Sequence, residues 1–366
     1  MMFDENWRAD RATVPPPLWG RSPAEARRAK ARREGDSPFT QRLHVGTPSP
    51  TLPHKGGGSP PPAWHCFDAK QSRFIILIAR SGVLAQQFCR SVARAQVEAV
   101  FERSLYLRHG DDFICIGGPD IGNGPLTLIA DIGPLSRFAL QSGQPAAVCG
   151  RQITIGHSVR FTLDASEAWR APPWPACPPA VRLIETRTAL AQRAASEAPP
   201  EGFAHLVFGR PGPSGLLARV AGARIAAFES WLSGVLDAGH AAVGAAVQGL
   251  IGLGPGLTPS GDDFLSGALT LLGAIGERDA HAALARAVTD AAPGSTSALS
   301  ACFLRAAAAG QVGENLHRAV SSTLAGDVDA TVAAVANIGH SSGWDMLAGV
   351  ASALRIAAAR RVASSA

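Results

Sequence analysis

The sequence predicts an α+β protein, an antiparallel β-rich N-terminal domain followed by a mainly α-helical one, and three observations predict it. Between residues 70 and 170 the apolar residues recur mostly with period two, five prolines crowd residues 171–180, and an Ala- and Leu-rich run broken by Gly, Pro and Ser follows. Strand-like stretches are expected at Arg73–Ala79, Val97–Arg103, Ser104–His109, Phe113–Gly117, Leu126–Ala130, Gln152–Ile155 and Val159–Leu163. Gly110-Asp111-Asp112 supplies a turn, and in Val159–Asp164 apolar and polar residues alternate, so one face is buried and one wet.

Prolines lack an N–H and fix φ, so residues 171–180 (APPWPACPPA) continue neither helix nor central strand and form a linker. Helices are expected near 182–197, 215–238, 262–275, 279–291, 297–309, 313–324, 328–337 and 344–360, giving a helical domain over 181–366. Residues 1–69 show no apolar period and are rich in Pro, Gly, Arg and Ser, which predicts a disordered tail and a true start near residue 70.

Charge and cysteines exclude several function classes. The net charge is +5, but residues 1–66 hold ten Lys/Arg against six Asp/Glu, leaving 24 against 23 elsewhere, so no basic nucleic-acid-tracking face is expected. Six cysteines without a C-x-x-C pair read as reduced thiols, the N-terminus lacks a secretory h-region, and the longest apolar runs are too short for a bilayer; a cytoplasmic protein without membrane contact follows.

The chemistry-bearing segment is Gly252–Asp263 (GLGPGLTPSGDD). Gly252, Gly254 and Gly256 with Pro255 and Pro259 suit a tight loop whose N–H groups form a nest, and the apolar run from Phe264 opens a helix behind it. A helix start beside such a nest attracts phosphate or carboxylate, which makes Gly252, Gly254, Gly256, Thr258, Ser260 and Gly261 candidate anion-binding residues. No Lys follows as in a Walker A loop, and no strand precedes as in the dinucleotide fold. Ser260 and Asp263 fit a capping box. Asp262 is left over: beside a bound anion its carboxylate would hold Mg²⁺, move a proton or donate from its protonated form. No cofactor other than this possible Mg²⁺ is indicated.

A second segment echoes the first. Residues 260–268 (SGDDFLSGA) and 342–350 (SGWDMLAGV) agree at five of nine positions, each with Ser-x-x-Asp opening an apolar helix. Two helix starts converging on one pocket are expected, which adds Ser341, Ser342 and Gly343 to the anion-binding set. His340, set in a Gly/Ser loop, joins Asp262 and Asp263 as a candidate catalytic group for proton transfer. The hydroxyl-rich run Gly294–Ser300 precedes a helix, where an N-cap by Ser295, Thr296 or Ser297 is expected, with lining of the same cleft as the alternative.

With GLGPGLTPSGDDFLSG, TSALS and GHSSGWDMLAG in hand, the chain resembles a bacterial family named for AllH, one subunit of oxamate carbamoyltransferase in allantoin degradation, over roughly residues 70–366. The resemblance implies carbamoyl transfer, oxalurate and phosphate giving oxamate and carbamoyl phosphate, with two partner subunits and small carboxylate and phosphate ligands. A nucleotide-dependent small-metabolite kinase and a non-catalytic scaffold subunit are the alternatives.

Overall fold

The computed structural model describes residues 72–364, apart from 158, 210–211, 213–214 and 239–243. The tail expected over 1–69 lies outside the described residues. Among the described residues the N-terminal region holds nine strands: β1 Phe74–Gly82, β2 Arg94–Val100, β3 Ser104–His109, β4 Asp112–Gly117, β5 Thr127–Ala130, β6 Pro145–Cys149, β7 Gln152–Ile155, β8 Val159–Thr162 and β9 Glu167–Trp169. Eight of them run in the order β5-β4-β3-β2-β6-β7-β8-β1, and β1 pairs back onto β5 to close a barrel; β9 extends the far end of β1.

Most pairings are antiparallel, as the hairpin signals predict, but β1–β8, β1–β9 and β4–β5 are parallel. Such pairs cannot be read from local turn chemistry, because the connection between parallel strands is not a tight hairpin. A helix unanticipated by the sequence reading, α1 (Val83–Ser91), lays Ala85, Phe88 and Cys89 on the barrel core.

The helical region comprises α2 (Ala180–Glu197), α3 (Ala204–Val207), α4 (Leu216–Ala238), α5 (Gly244–Gln248), α6 (Ser260–Ala274), α7 (Arg278–Ala291), α8 (Ala298–Ala308), α9 (Glu314–Ala325), α10 (Val328–Ala336) and α11 (Ser342–Ala363). Helix α6 is buried at every position from Ser260 to Leu272, polar residues included, so its neighbours enclose it on all sides. Its main neighbour is α11.

The two regions join through strands buried on both faces. In β3 and β4, Leu105, Leu107, Ile114 and Ile116 face the barrel core, while Tyr106, Phe113 and Cys115 meet Leu299, Cys302 and Ala306 of α8. The proline-rich stretch is docked as well: Trp174 stacks on His317 with ring centroids 4.0 Å apart, and Pro172 O sits 2.9 Å from His317 Nε2. No helix among the described residues is long and apolar enough to cross a membrane.

Candidate functional site

The two Ser-x-x-Asp segments do converge, and the contact is reciprocal. Position by position, Phe264 and Gly267 in α6 correspond to Met346 and Gly349 in α11. A Cβ on Gly267 would lie 1.9 Å from the carbonyl oxygen of Met346, and one on Gly349 would lie 1.9 Å from that of Phe264. Each helix therefore rests its glycine on the other's backbone, a closeness no larger residue permits. The loops correspond too: the N–H of Gly261 donates to Leu253 O and that of Gly343 to Ile338 O, both at 2.9 Å.

The serines and aspartates cross over in the same sense. Helix α6 begins at Ser260 behind Pro259, with no side-chain cap, so the expected capping box is not formed. Ser260 lies beside Asp345 and Ser342 beside Asp263, each hydroxyl favouring the ionised form of its carboxyl group. Thr258 and Ser342 hydroxyls stand 3.3 Å apart. Asp345 Oδ1 also accepts the Phe203 N–H at 2.5 Å, which ties the turn before α3 to the start of α11. Gly202, at φ 85°, makes room for that carboxylate.

Asp263 and Asp345 are 4% and 1% exposed, and Oδ2 of each has no hydrogen-bond partner. Burial pushes Asp345 up to about 7, against the pull of bonds from Phe203 and Ser260. Asp263 is raised well above the ordinary carboxylate range, first by burial and then by the charge of Asp345. Two carboxyl groups in a dry core cannot both ionise, so a retained proton is the natural state at neutral pH.

Asp262 has a different task. Its Oδ1 accepts the Gly252 N–H at 2.8 Å, and its Oδ2 accepts the hydroxyls of Ser300, at 2.6 Å, and Thr296. Burial raises its carboxyl group, and those three donors oppose the shift. The residue thereby latches the start of the glycine loop to the segment ahead of α8, where Ser297 accepts from Ser300 N–H as the expected cap. Both Asp262 oxygens accept from protein donors, three in all.

Of the other candidate anion-binding residues, Gly252 and Gly261 spend their N–H groups internally, and Gly254 (φ 119°) is folded against Ser260 N. Gly256, at φ 104°, completes the left-handed run of the loop. Ser341 lies beside Asp345 and favours its ionised form. His340 does not join the carboxylates: its side chain is 60% exposed, with Glu201 Oε2 3.7 Å away.

A cleft of about 180 Å³ lies where the barrel meets the helices. The connection from β4 to β5 (Gly118–Leu126) forms one wall, and the start of α9 with Gly310–Gly313 ahead of it forms another; Ser266 and Met346 reach it from α6 and α11. Glu314 Oε2 clamps the first wall to the second, accepting Asn123 N–H at 3.0 Å and Asn123 Nδ2 at 2.7 Å. Sequence reasoning passed over both walls. The signal present was Gly122-Asn123-Gly124-Pro125 and Gly313-Glu314-Asn315, two short polar turns 191 residues apart that nothing local connects.

The family described as oxamate carbamoyltransferase subunit AllH matches residues 250–354, which include both Ser-x-x-Asp helix starts and the α9 wall of the cleft. The AllH family N-terminal domain matches residues 76–168, the barrel. No solved structure matches the chain. Matched in order over the barrel and over the core of the helical region, the chain belongs to the AllH family.

Proposed function

We propose that the chain is a subunit of an oxamate carbamoyltransferase that, with two partner subunits, converts oxalurate and phosphate to oxamate and carbamoyl phosphate, a step of allantoin degradation. The observation that carries this reading is the family match over residues 250–354, whose description names that enzyme's subunit. In the reaction a phosphate oxygen adds to the carbamoyl carbon of oxalurate. The C–N bond to the oxamate nitrogen then breaks, and that nitrogen takes a proton. Charge develops on the carbamoyl oxygen, so fixed N–H donors are the device such a site needs most.

The nucleotide-kinase alternative draws its support from the glycine loop, and the Gly252 and Gly261 N–H groups of that loop are already used within the chain. In our reading Asp262, Asp263 and Asp345 act as positioning residues for the loop and for the two helix starts. The test is reconstitution: the full chain mixed with homologues of the two partner subunits, oxalurate and phosphate, with carbamoyl phosphate followed by phosphorus NMR. Formation that requires this chain supports the reading; formation by the partners alone leaves the chain a scaffold and ends it.

A further inference from the structure

We propose that a cavity enclosed by α2, α3, α4 and the second half of α11 binds a short aliphatic monocarboxylate, with its carboxylate held by Arg187 and Arg355 and its hydrocarbon body against the apolar wall beside them. The cavity measures about 240 Å³. Nothing in its case rests on the carbamoyltransferase reading.

Arg187 is the residue out of place. The buried positions of α2 are Leu183, Thr186, Leu190 and Ala194, and Arg187 follows Leu183 by four and precedes Leu190 by three, so it stands at the edge of the core-facing stripe. A guanidinium set there ordinarily meets a carboxylate. Among the described residues that of Arg187 makes no hydrogen bond and no ion pair. Its Nε is sealed from solvent, which leaves the two Nη nitrogens as the donors it can offer the cavity. Burial lowers its pKa from the ordinary arginine value, the charge of Arg355 lowers it further, and Glu229 pulls the other way. Glu229 is itself committed, since it pairs with Arg355. Two guanidiniums and one carboxylate therefore line one cavity, with a single positive charge in excess. The Arg355 side chain is 42% exposed, and its five N–H donors are not exhausted by one carboxylate. A monoanion balances the charge and takes both forks.

The rest of the lining sets the body of the ligand. Gly222, Ile225, Ala226 and Glu229 recur at i, i+3, i+4 and i+7, so one face of α4 forms a wall, apolar except at its Glu229 end. Leu206 and Val207 of α3 close another side. A ligand charged at one end and aliphatic at the other answers both kinds of wall, whereas phosphate answers only the charged one. The volume falls below the ~300–1,000 Å³ of drug-sized sites, which limits the aliphatic part to a short chain. A Cβ on Gly222 would meet nothing within 4 Å, so α4 leaves open space where a side chain would otherwise stand.

The experiment is saturation-transfer NMR of butyrate on the full chain, with butyramide in its place as the uncharged control and inorganic phosphate as competitor, joined to hydrogen–deuterium exchange with and without butyrate. We expect butyrate to bind, butyramide not to bind, and phosphate to displace butyrate poorly. Protection should rise in peptides covering 183–190 and 222–229. Arg187→Gln should weaken butyrate binding about tenfold or more, the loss of charge-assisted hydrogen bonds. Glu229→Gln releases Arg355 and should tighten butyrate binding severalfold, which a merely structural ion pair would not do. Gly222→Leu alters no charge and adds a better helix former, so it should block binding while the urea midpoint holds or rises. If Arg187→Gln does not fold, the Gly222→Leu variant and the ligand series decide the matter. No butyrate binding, equal binding of butyramide, displacement by equimolar phosphate, protection confined to other peptides, or unchanged binding in Gly222→Leu overturns the proposal.

Discussion

Helix α6 begins behind Pro259 at the end of a glycine-rich loop and α9 begins behind Gly313, yet the two beginnings are held differently. At α6 the loop and first-turn donors are largely used within the chain: Asp262 accepts the Gly252 N–H, Leu253 O takes the Gly261 N–H, and Pro259 O takes those of Asp262 and Asp263. At α9 the cap is a bare glycine, the Glu314 N–H crosses to Asn123 O, and Asn315 and Leu316 line a cleft. The difference teaches that glycines ahead of a helix do not by themselves make an anion site, since the chain can spend the donors internally. The first start is a joint between two helices, and the second is a joint between the helices and the β4–β5 connection.

The largest effect that would break this contrast lies at the joint. Gly267→Val puts a branched side chain where a Cβ would already stand 1.9 Å from a backbone oxygen. We expect a loss of about 3 kcal/mol or more, read as a collapse of the urea midpoint or failure to fold. A stable, cooperative variant would show that α6 and α11 do not pack backbone to backbone.

Next in size is the pH dependence of the buried pair. Asp345 titrates near 7 in the folded chain against an ordinary value of 3.8, so below about pH 4 both states are protonated and its contribution is fully present. As pH rises toward 7 the unfolded chain gives up its proton while the folded one keeps it, and stability is lost. The span amounts to something on the order of 4 kcal/mol as an upper bound. Asp345→Asn should flatten that fall, so that its stability relative to the unsubstituted chain improves steadily between pH 4 and 8. Parallel stability profiles for the two proteins would remove the proton from the account.

Asp262→Ala comes third. It strands the Gly252 N–H and two hydroxyls, and we expect a cost of about 2–3 kcal/mol in chemical denaturation, unaffected by Mg²⁺. Stabilisation of the unsubstituted chain by Mg²⁺, lost in the variant, would restore Asp262 as a metal ligand. Smallest of all is His340→Ala. An exposed imidazole beside an exposed glutamate should change stability by less than about 0.5 kcal/mol, and transferase activity in the reconstituted complex should be unmoved. A large fall in activity would return His340 to the chemistry.

Much of this architecture was legible from residues alone. Period-two stretches such as Val159–Leu163 belong to the barrel, and the Ser-Gly-x-Asp echo at 260 and 342 marks two helices that do meet. The echo was readable because it is local: each copy carries its own serine, glycine and aspartate at fixed spacing. Helix α1 was not, since Val83–Ser91 has only three buried residues, and its place follows from the barrel it covers. The role of Asp262 was equally hidden. Its partners are Thr296 and Ser300, more than thirty residues away, and only their position decides that the carboxylate is a latch.

The sequence by itself determined the α+β order of the chain, the paired helix starts and the family to which they belong. Tertiary structure alone decided barrel closure, the crossing of Asp263 and Asp345 onto each other's serines, and the meeting of Asn123 with Glu314 across 191 residues. The physical reason is that propensity, periodicity and capping are set by neighbours in the chain. Whether a buried donor or acceptor is satisfied depends on groups that only folding brings within hydrogen-bond reach.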